Sequence, residues 1–470
     1  MEKFILNEYR FFDSNEKIRN IAYELYSGVK NLPIISPHGH VDPEILATNK
    51  PFPDPTELFI IPDHYIHRML YSQGIKLEDL GIPTIDGTPV EKDHRKIWQI
   101  FGDNFYLYAG TPTGVWLQHE FAEVFGITEK LNSESAMRIY DLIQEKLKLP
   151  EFLPRALFKK FNIEVLTTTD GAGDSLDAHK RIKDSGWNGK VIPCFRPDGT
   201  INLTWKPWEK EIDALSQASG IEVSSYKNYI KAIENRREFF KKMGAVSTDQ
   251  GVKSPYAHKL SEQEADRIFQ KALKGKATEE DENLFVANML MEMARMSTED
   301  GLVMQIHPGS LRNHNKVIYD RFGLDKGCDI PIQTEYTRNM QEFLGTFGNN
   351  PNFTVIVFTL DETNYARELA PLAGHYPAMK LGPAWWFHDS IQGMTRFRQQ
   401  VTETAGFYNT VGFNDDTRAF LSIPARHDLS RRVDSNFLAE LVSKHIITME
   451  EAKALSYQLA YGLVKKAYKL

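Results

Sequence analysis

Residues 353–360, FTVIVFTL, decide the fold. This is the strongest apolar run in the chain, yet it is far shorter than the ~20 residues of a membrane-spanning helix. Its β-branched residues fit a strand buried on both faces. VIPCF at 191–195 reads the same way. Working outward from these two, similar runs recur at Leu32–Ser36, Glu164–Thr168, Gly244–Ser247, Leu302–Ile306, Met379–Gly382 and Thr410–Phe413. Amphipathic helix candidates lie between them: Ser225–Met243, Ser261–Ser297 and Asp389–Ala405, with Leu429–Ser443 and Thr448–Leu470 closing the chain. Ser225 caps the first of these, and basic residues precede Gly244, as helix ends prefer. Eight strands alternating with helices predict a (β/α)8 barrel. A doubly wound open sheet is the alternative, but no glycine-rich phosphate loop follows any strand.

The first two strands lie about 125 residues apart, far more than one crossover needs. A helical insertion is therefore expected over 42–160, with 1–41 and 161–470 forming a distorted barrel. The proline-rich entry NKPFPDPTELF (49–59) and a helix candidate at Ser133–Leu149 fit this division.

Composition narrows the function. The 470 residues carry 56 Lys+Arg against 63 Asp+Glu, a net charge of −7. This gives no footprint for nucleic acid or an anionic membrane, although local arginines could still hold an anionic small molecule. Hydrophobic residues at 41% and charged residues at 25% are those of an ordinary globule. The two cysteines, Cys194 and Cys328, make no CxxC pair, which excludes a disulfide framework and a thiolate zinc site. The first residues lack the apolar core of a signal peptide, so a cytoplasmic enzyme is expected.

Polar residues cluster just after the predicted strands. His38-Gly39-His40 follows the first, Asp170 the second, Arg196 the third, His307 the fifth, Trp385-Trp386 the seventh, and Asp416 with Arg418 the eighth. In a barrel all these ends open on one face. Two histidines two residues apart on an extended segment point to the same side and can share a metal. Asp416 is the natural third ligand, with Arg418 beside it on the same side of an extended segment and Asp415 facing away. Two imidazoles and a carboxylate make the open site of a catalytic zinc. Strand four, running AVSTDQ, offers no lysine or glutamate to bridge a second ion, so one metal is expected. His307 reads as a further ligand, an acid/base, or a core residue. Arg196, Arg312 and Arg418 read as carboxylate forks or as structural ion pairs. His64-Tyr65 reads as a helix start capped by Asp63, and the tryptophans as packing.

Taken together, these segments resemble the uronate isomerase family (glucuronate or galacturonate isomerase) of the amidohydrolase superfamily. The resemblance is carried by PHGH, DHYIHRML, LTTTD, FRPD, QIHPGSLRN, GPAWWFHD, DDTRAFLS and RHD, in the family's order from residue 36 to residue 428. It implies a distorted (β/α)8 barrel and one divalent metal, usually zinc, on His38, His40 and Asp416. It also implies that Arg196, Arg312, Arg418, His307, His64, Tyr65, Trp385 and Trp386 surround a sugar acid, and it supports Asp416 and Tyr65 as proton carriers; Asp170, by its strand-end position, is read as a further substrate contact and His307 as a third candidate for proton transfer. The implied reaction interconverts D-glucuronate with D-fructuronate, or D-galacturonate with D-tagaturonate, through a cis-enediol. Three features depart from the family: Gly171-Ala172-Gly173 after Asp170, Gly39 where many members carry cysteine, and Ala384. They bear on which uronate is preferred. A metal-dependent hydrolase of a lactone, amide or ester, and a non-catalytic sugar-acid binding barrel, are the rival readings. Assembly into a homo-oligomer is left open.

Overall fold

The computed structural model describes residues 4–470. Seven parallel strands form one curled sheet: β1 (Ile34–Ser36), β2 (Ile163–Gly171), β3 (Lys190–Arg196), β4 (Ser247–Val252), β5 (Val303–Pro308), β8 (Val355–Val357) and β9 (Met379–Leu381). Their order around the sheet follows the chain, as successive right-handed crossovers require. A short antiparallel pair, β6 (Ser310–Leu311) with β7 (Ile330–Pro331), branches off after β5. Nothing in the sequence reading anticipated that pair.

The eighth barrel position is occupied without a full strand. Thr410 makes a single parallel bridge to Leu381, with Leu381 N–H donating to Asn409 O and Val411 N–H to Leu381 O. The strand expected at Thr410–Phe413 is therefore reduced to one bridge. The ring is completed above it, where His40 N–H donates to Thr417 O at 2.9 Å. This is the distortion in an otherwise regular (β/α)8 plan.

Ile35, Val165, Ile192, Val303, Ile356, Phe358 and Val411 fill the barrel interior. All three residues of β8 are buried, as expected of a strand covered on both faces. Each such aliphatic side chain contributes roughly 1.5–3 kcal/mol by leaving water. The C-terminal helix Leu463–Tyr468 closes the floor: Val464 and Tyr468 join the interior cluster, and Tyr468 Oη donates to Gln305 Oε1 at 2.8 Å.

Two outer helices, Tyr226–Lys242 and Ile391–Ala405, match their sequence signals, and two others differ. Tyr226–Lys242 is capped by Ser225, whose Oγ accepts from Asn228 N–H, and its buried face repeats at 226, 229, 233, 236/237 and 240. The long helix expected over Ser261–Ser297 is two helices, Glu262–Ala272 and Glu279–Asp300. Each has its own capping box, at Ser261/Glu264 and Thr278/Asp281, and Gly275 sits between them at φ +62°. The helix placed at Leu429–Ser443 begins earlier, at Ile423, with Pro424 in its first turn, where a missing N–H costs nothing.

Between β1 and β2 the described residues form helices and turns only. Their apolar faces share a core rich in aromatics, among them Trp98, Phe101, Phe121 and Phe125. Helix His94–Asp103 shows how it is built. Asp93 caps its first turn, Trp98 and Phe101 pack edge to face at 5.5 Å, and the Trp98 indole N–H donates to Ala136 O. Among the described residues, no helix is long and apolar enough to cross a membrane.

Candidate active site

Beyond β1 the chain carries His38 and His40 onto the barrel mouth. The intervening Gly39 is pinned from one side by Thr169 Oγ1, which donates to its carbonyl, while His40 N–H bonds Thr417 O on the other. His38 is 1% exposed and His40 30%, and their rings meet nearly edge to face. Asp416 faces both: its Oδ1 lies 3.5 Å from His38 Nε2 and 3.2 Å from His40 Nε2. The segment around it is not extended as the sequence reading assumed. Asp416 has φ +38°, a left-handed conformation that aspartate tolerates better than most residues, and Asn414 Oδ1 accepts its N–H. That kink aims the carboxylate at the histidines. The neighbouring Asp415 does turn away, to His427 Nε2 at 2.9 Å.

His307, on β5, completes the inner cluster. Its ring stacks on His38 at 4.9 Å and on Phe358 at 3.9 Å, with Trp385 against it at 4.7 Å. Its Nδ1 is 2.5 Å from Asp249 Oδ1. An Nδ1–H donated to Asp249 leaves Nε2 with its lone pair, and that atom is buried with no protein partner.

Asp249 joins this cluster without having been singled out in the sequence. The fourth strand was expected at Gly244–Ser247; it is Ser247–Val252, so TDQ is buried strand and not the loop after it. Asp249 points inward beside His307, and its Oδ2 takes Arg196 Nη1 at 2.9 Å while lying 3.8 Å from His38 Nε2. The usable signal was the register: Asp249 pairs with Gln305 and Gly251 with His307, so 249 and 307 share one face of the sheet a diagonal step apart.

Electrostatics follow from this packing. Burial pushes His38 down to about 4, outweighing the pull of Asp249 and Asp416, so the imidazole is neutral at pH 7. Burial alone would raise Asp416, but His38, His40 and His307 override it and hold the carboxyl well below its ordinary range. Asp249 behaves likewise: burial opposes ionisation, and Arg196, His307 and His38 prevail. Arg196 is itself locked, with Nε donating to Asp198 Oδ2 at 2.7 Å, so its fork is already occupied by carboxylates.

A second, more open cluster forms the rim. His64 and Tyr65 begin helix His64–Ser72, capped as expected by Asp63. His64 stacks on Tyr65 and meets Trp386 edge-on at 5.9 Å. Burial, then Arg418, pushes His64 down to about 3. Arg312 lies over Trp386 at 5.2 Å and pairs with Asp329, while Arg418 reaches Asp325 at 3.3 Å. Their side chains are 44% and 33% exposed. Trp386 also holds a left-handed backbone, φ +53°, which a bulky residue adopts only when its surroundings enforce it.

Asp170 does not join either cluster. β2 runs on through Gly171, so Asp170 lies within the strand, on the face opposite Thr169. It accepts from Thr168 Oγ1 at 2.7 Å and lies 3.8 Å from His179 of the flanking helix. The sequence expectation that it binds substrate is corrected on that geometry.

The donor set suits a cation. His38, His307 and Asp416 each offer a ligand atom, all within 4.8 Å of one another, and Asp416 Oδ1 and His307 Nε2 are buried without hydrogen-bond partners. His40 stands beside Asp416 as a fourth candidate. Neutral imidazoles with an ionised carboxylate are what a divalent ion requires.

Comparison with known proteins gives full-length relatives. A family model described as glucuronate isomerase matches residues 1–467. A uronate isomerase from Nostoc punctiforme is 53% identical over all of this chain and 99% of its own. The crystal structure of glucuronate isomerase from Caulobacter crescentus is 52% identical, with TM-score 0.98 over 100% of this chain and 98% of that one. That of uronate isomerase from Thermotoga maritima is 27% identical, with TM-score 0.91 over 99% of this chain and 100% of that one. With matches of this extent placed on a barrel mouth that gathers the motif residues, the chain belongs to the glucuronate isomerase family.

Proposed function

We propose that this chain is a uronate isomerase, an aldose–ketose isomerase that interconverts D-glucuronate with D-fructuronate and D-galacturonate with D-tagaturonate. The observation that carries the reading is the convergence of His38, His40, His307 and Asp416 at the mouth of a barrel matched end to end by that family. In the reaction, a base takes the proton from C2 of the open-chain sugar while the C1 carbonyl oxygen gains one, giving the cis-enediol. The C2 hydroxyl then gives up its proton as C1 receives one. Asp416, ionised and aimed into the mouth, suits proton abstraction. The Tyr65 hydroxyl suits the oxygen protons, and His307 Nε2 could take one only where His38, His40 and Asp416 hold the ion without it. Arg418 and Arg312, exposed and paired only with Asp325 and Asp329, suit a carboxylate that displaces those partners. Holding the anion in one register turns binding into rate. Asp249 fixes the tautomer of His307.

His38, His40, His307 and Asp416 are the residues that would hold a divalent ion; bound there, it would supply positive charge for the sugar's carboxylate or hydroxyls. Zinc fits this nitrogen-and-oxygen set, as other first-row ions do. Both cysteines are unpaired, which suits a reducing compartment, and we place the enzyme in the cytoplasm.

Nuclear magnetic resonance of purified protein with D-glucuronate, with D-galacturonate and with a panel of sugar lactones tests the proposal. Ketouronate is expected from at least one uronate. Lactone hydrolysis without any ketouronate would overturn it in favour of the hydrolase reading.

A further inference from the structure

Two motif segments, GPAWWFHD and RHD, include residues that the proposed chemistry leaves unused: Asp389 and Arg426. Both are buried, Arg426 to 2% exposure. Arg426 stands in the first turn of helix Ile423–Ser443. Its Nη1 donates to Asp389 Oδ2 and to the Asp415 carbonyl at 3.2 Å, and its Nε donates to Ser422 Oγ at 3.2 Å. The guanidinium lies 3.5 Å from the centre of the Trp116 ring and 5.6 Å from that of Tyr65. Trp116 and Tyr65 themselves pack edge to face at 5.7 Å.

The two sides of this contact come from different parts of the fold. Trp116 and Tyr65 belong to the helical stretch between β1 and β2, whereas Arg426, Asp389 and Asp415 belong to the barrel's C-terminal half. One buried guanidinium thus joins them beside Tyr65. Arg426, Asp389, Asp416 and Asp63 all bear electrostatically on Tyr65. A buried ion pair is weak evidence for stability, because apolar residues of similar volume often serve folding as well. Its placement against an aromatic pair that ends in the site calls for another role.

We propose that Arg426, clamped by Asp389, is a positioning residue: through the Trp116–Tyr65 pair it holds the Tyr65 hydroxyl at the barrel mouth in register with Asp416. The inference rests on the reading of Tyr65 as a proton carrier. Arg426→Lys keeps the charge but loses the planar guanidinium that bonds Asp389 and Asp415 through Nη1 and Ser422 through Nε and stacks on Trp116.

The test is a double-mutant cycle of Arg426→Lys with Tyr65→Phe, assayed well below the melting temperature of every variant. Arg426→Lys is expected to lower kcat about 10- to 100-fold with KM within about 3-fold, and to slow the Tyr65→Phe enzyme by no more than about 2-fold. A purely structural role would move the melting temperature without that kcat-against-KM split or that non-additivity. Losses that multiply, a loss confined to KM, or wild-type kcat in Arg426→Lys would each overturn the inference. If Arg426→Lys does not fold, the near-isosteric Asp389→Asn takes its place under the same criteria. Wild-type kcat in Tyr65→Phe alone would remove the proton-carrier role, and the inference with it. That failure is visible before any Arg426 variant is made.

Discussion

The inner cluster and the rim of this barrel mouth are built on opposite terms. His38, Asp249, His307 and Asp416 come from strands or the segments that follow them, are buried or nearly so, and are fixed by one another. His64, Arg312, Arg418 and Trp386 sit on helix starts and loops, and their arginines are half-exposed, each paired with one aspartate. Rigid strand ends hold groups where atoms must react, while a looser rim can trade its own carboxylates for a ligand's. Substitutions should therefore divide by region, with kcat lost from the inside and KM from the outside.

The largest effect is expected from Asp416→Asn. It removes the carboxylate proposed to serve both the cation and proton transfer, and kcat should fall by about 10³-fold or more. A folded variant within tenfold of wild type would break the division. Asp249→Asn comes next. It leaves His307 without its orienting charge and Arg196 with one partner fewer, and should cost about 10²-fold in kcat at near-constant KM. Outer-shell partners of metal-bound histidines typically cost 10- to 100-fold when mutated, so an effect below about 3-fold would separate Asp249 from the chemistry. Arg418→Lys should instead raise KM about tenfold and leave kcat within about 3-fold, because an ammonium lacks the planar fork. Steady-state kinetics on both uronates distinguish these patterns.

Asp170→Asn should do least to catalysis, with kcat and KM both within about 3-fold, since its carboxyl faces away from the mouth. Its effect belongs to stability. Burial, partly offset by the Thr168 hydrogen bond, pushes Asp170 up to about 7, against roughly 3.9 in an unfolded chain. A carboxyl raised on folding contributes stability that is complete below the unfolded value and is lost as pH rises through 7. The wild-type melting temperature should therefore drop more between pH 6 and pH 8 than that of Asp170→Asn. Equal drops would show that this carboxyl does not titrate in that window.

What could be read from the sequence follows the same division. Strands made of continuous β-branched apolar residues, such as VIVFT and VIPCF, announce themselves. β4 did not, because Ser247, Thr248, Asp249 and Gln250 are polar and are buried only by the helices and neighbouring strands around them. That one boundary hid Asp249. On β2, underestimating the strand's length turned a helix-facing aspartate into an apparent mouth residue, since each step along a strand changes the side. His38 and His40 were legible because two-residue spacing needs no tertiary information. Asp416 was legible by position, but its left-handed backbone was not. Arg426 lies on a helix, outside any strand-end pattern, and only the packed structure brings it to Tyr65.

Metal content measured alongside isomerisation rate, before and after chelation, tests the inner cluster most directly. One divalent ion per chain is expected, with activity lost as the ion is removed and regained as it is returned, and with little ion retained by His38→Asn. A chain stripped of metal that still isomerises uronates at the full rate would contradict a cation held by His38, His307 and Asp416.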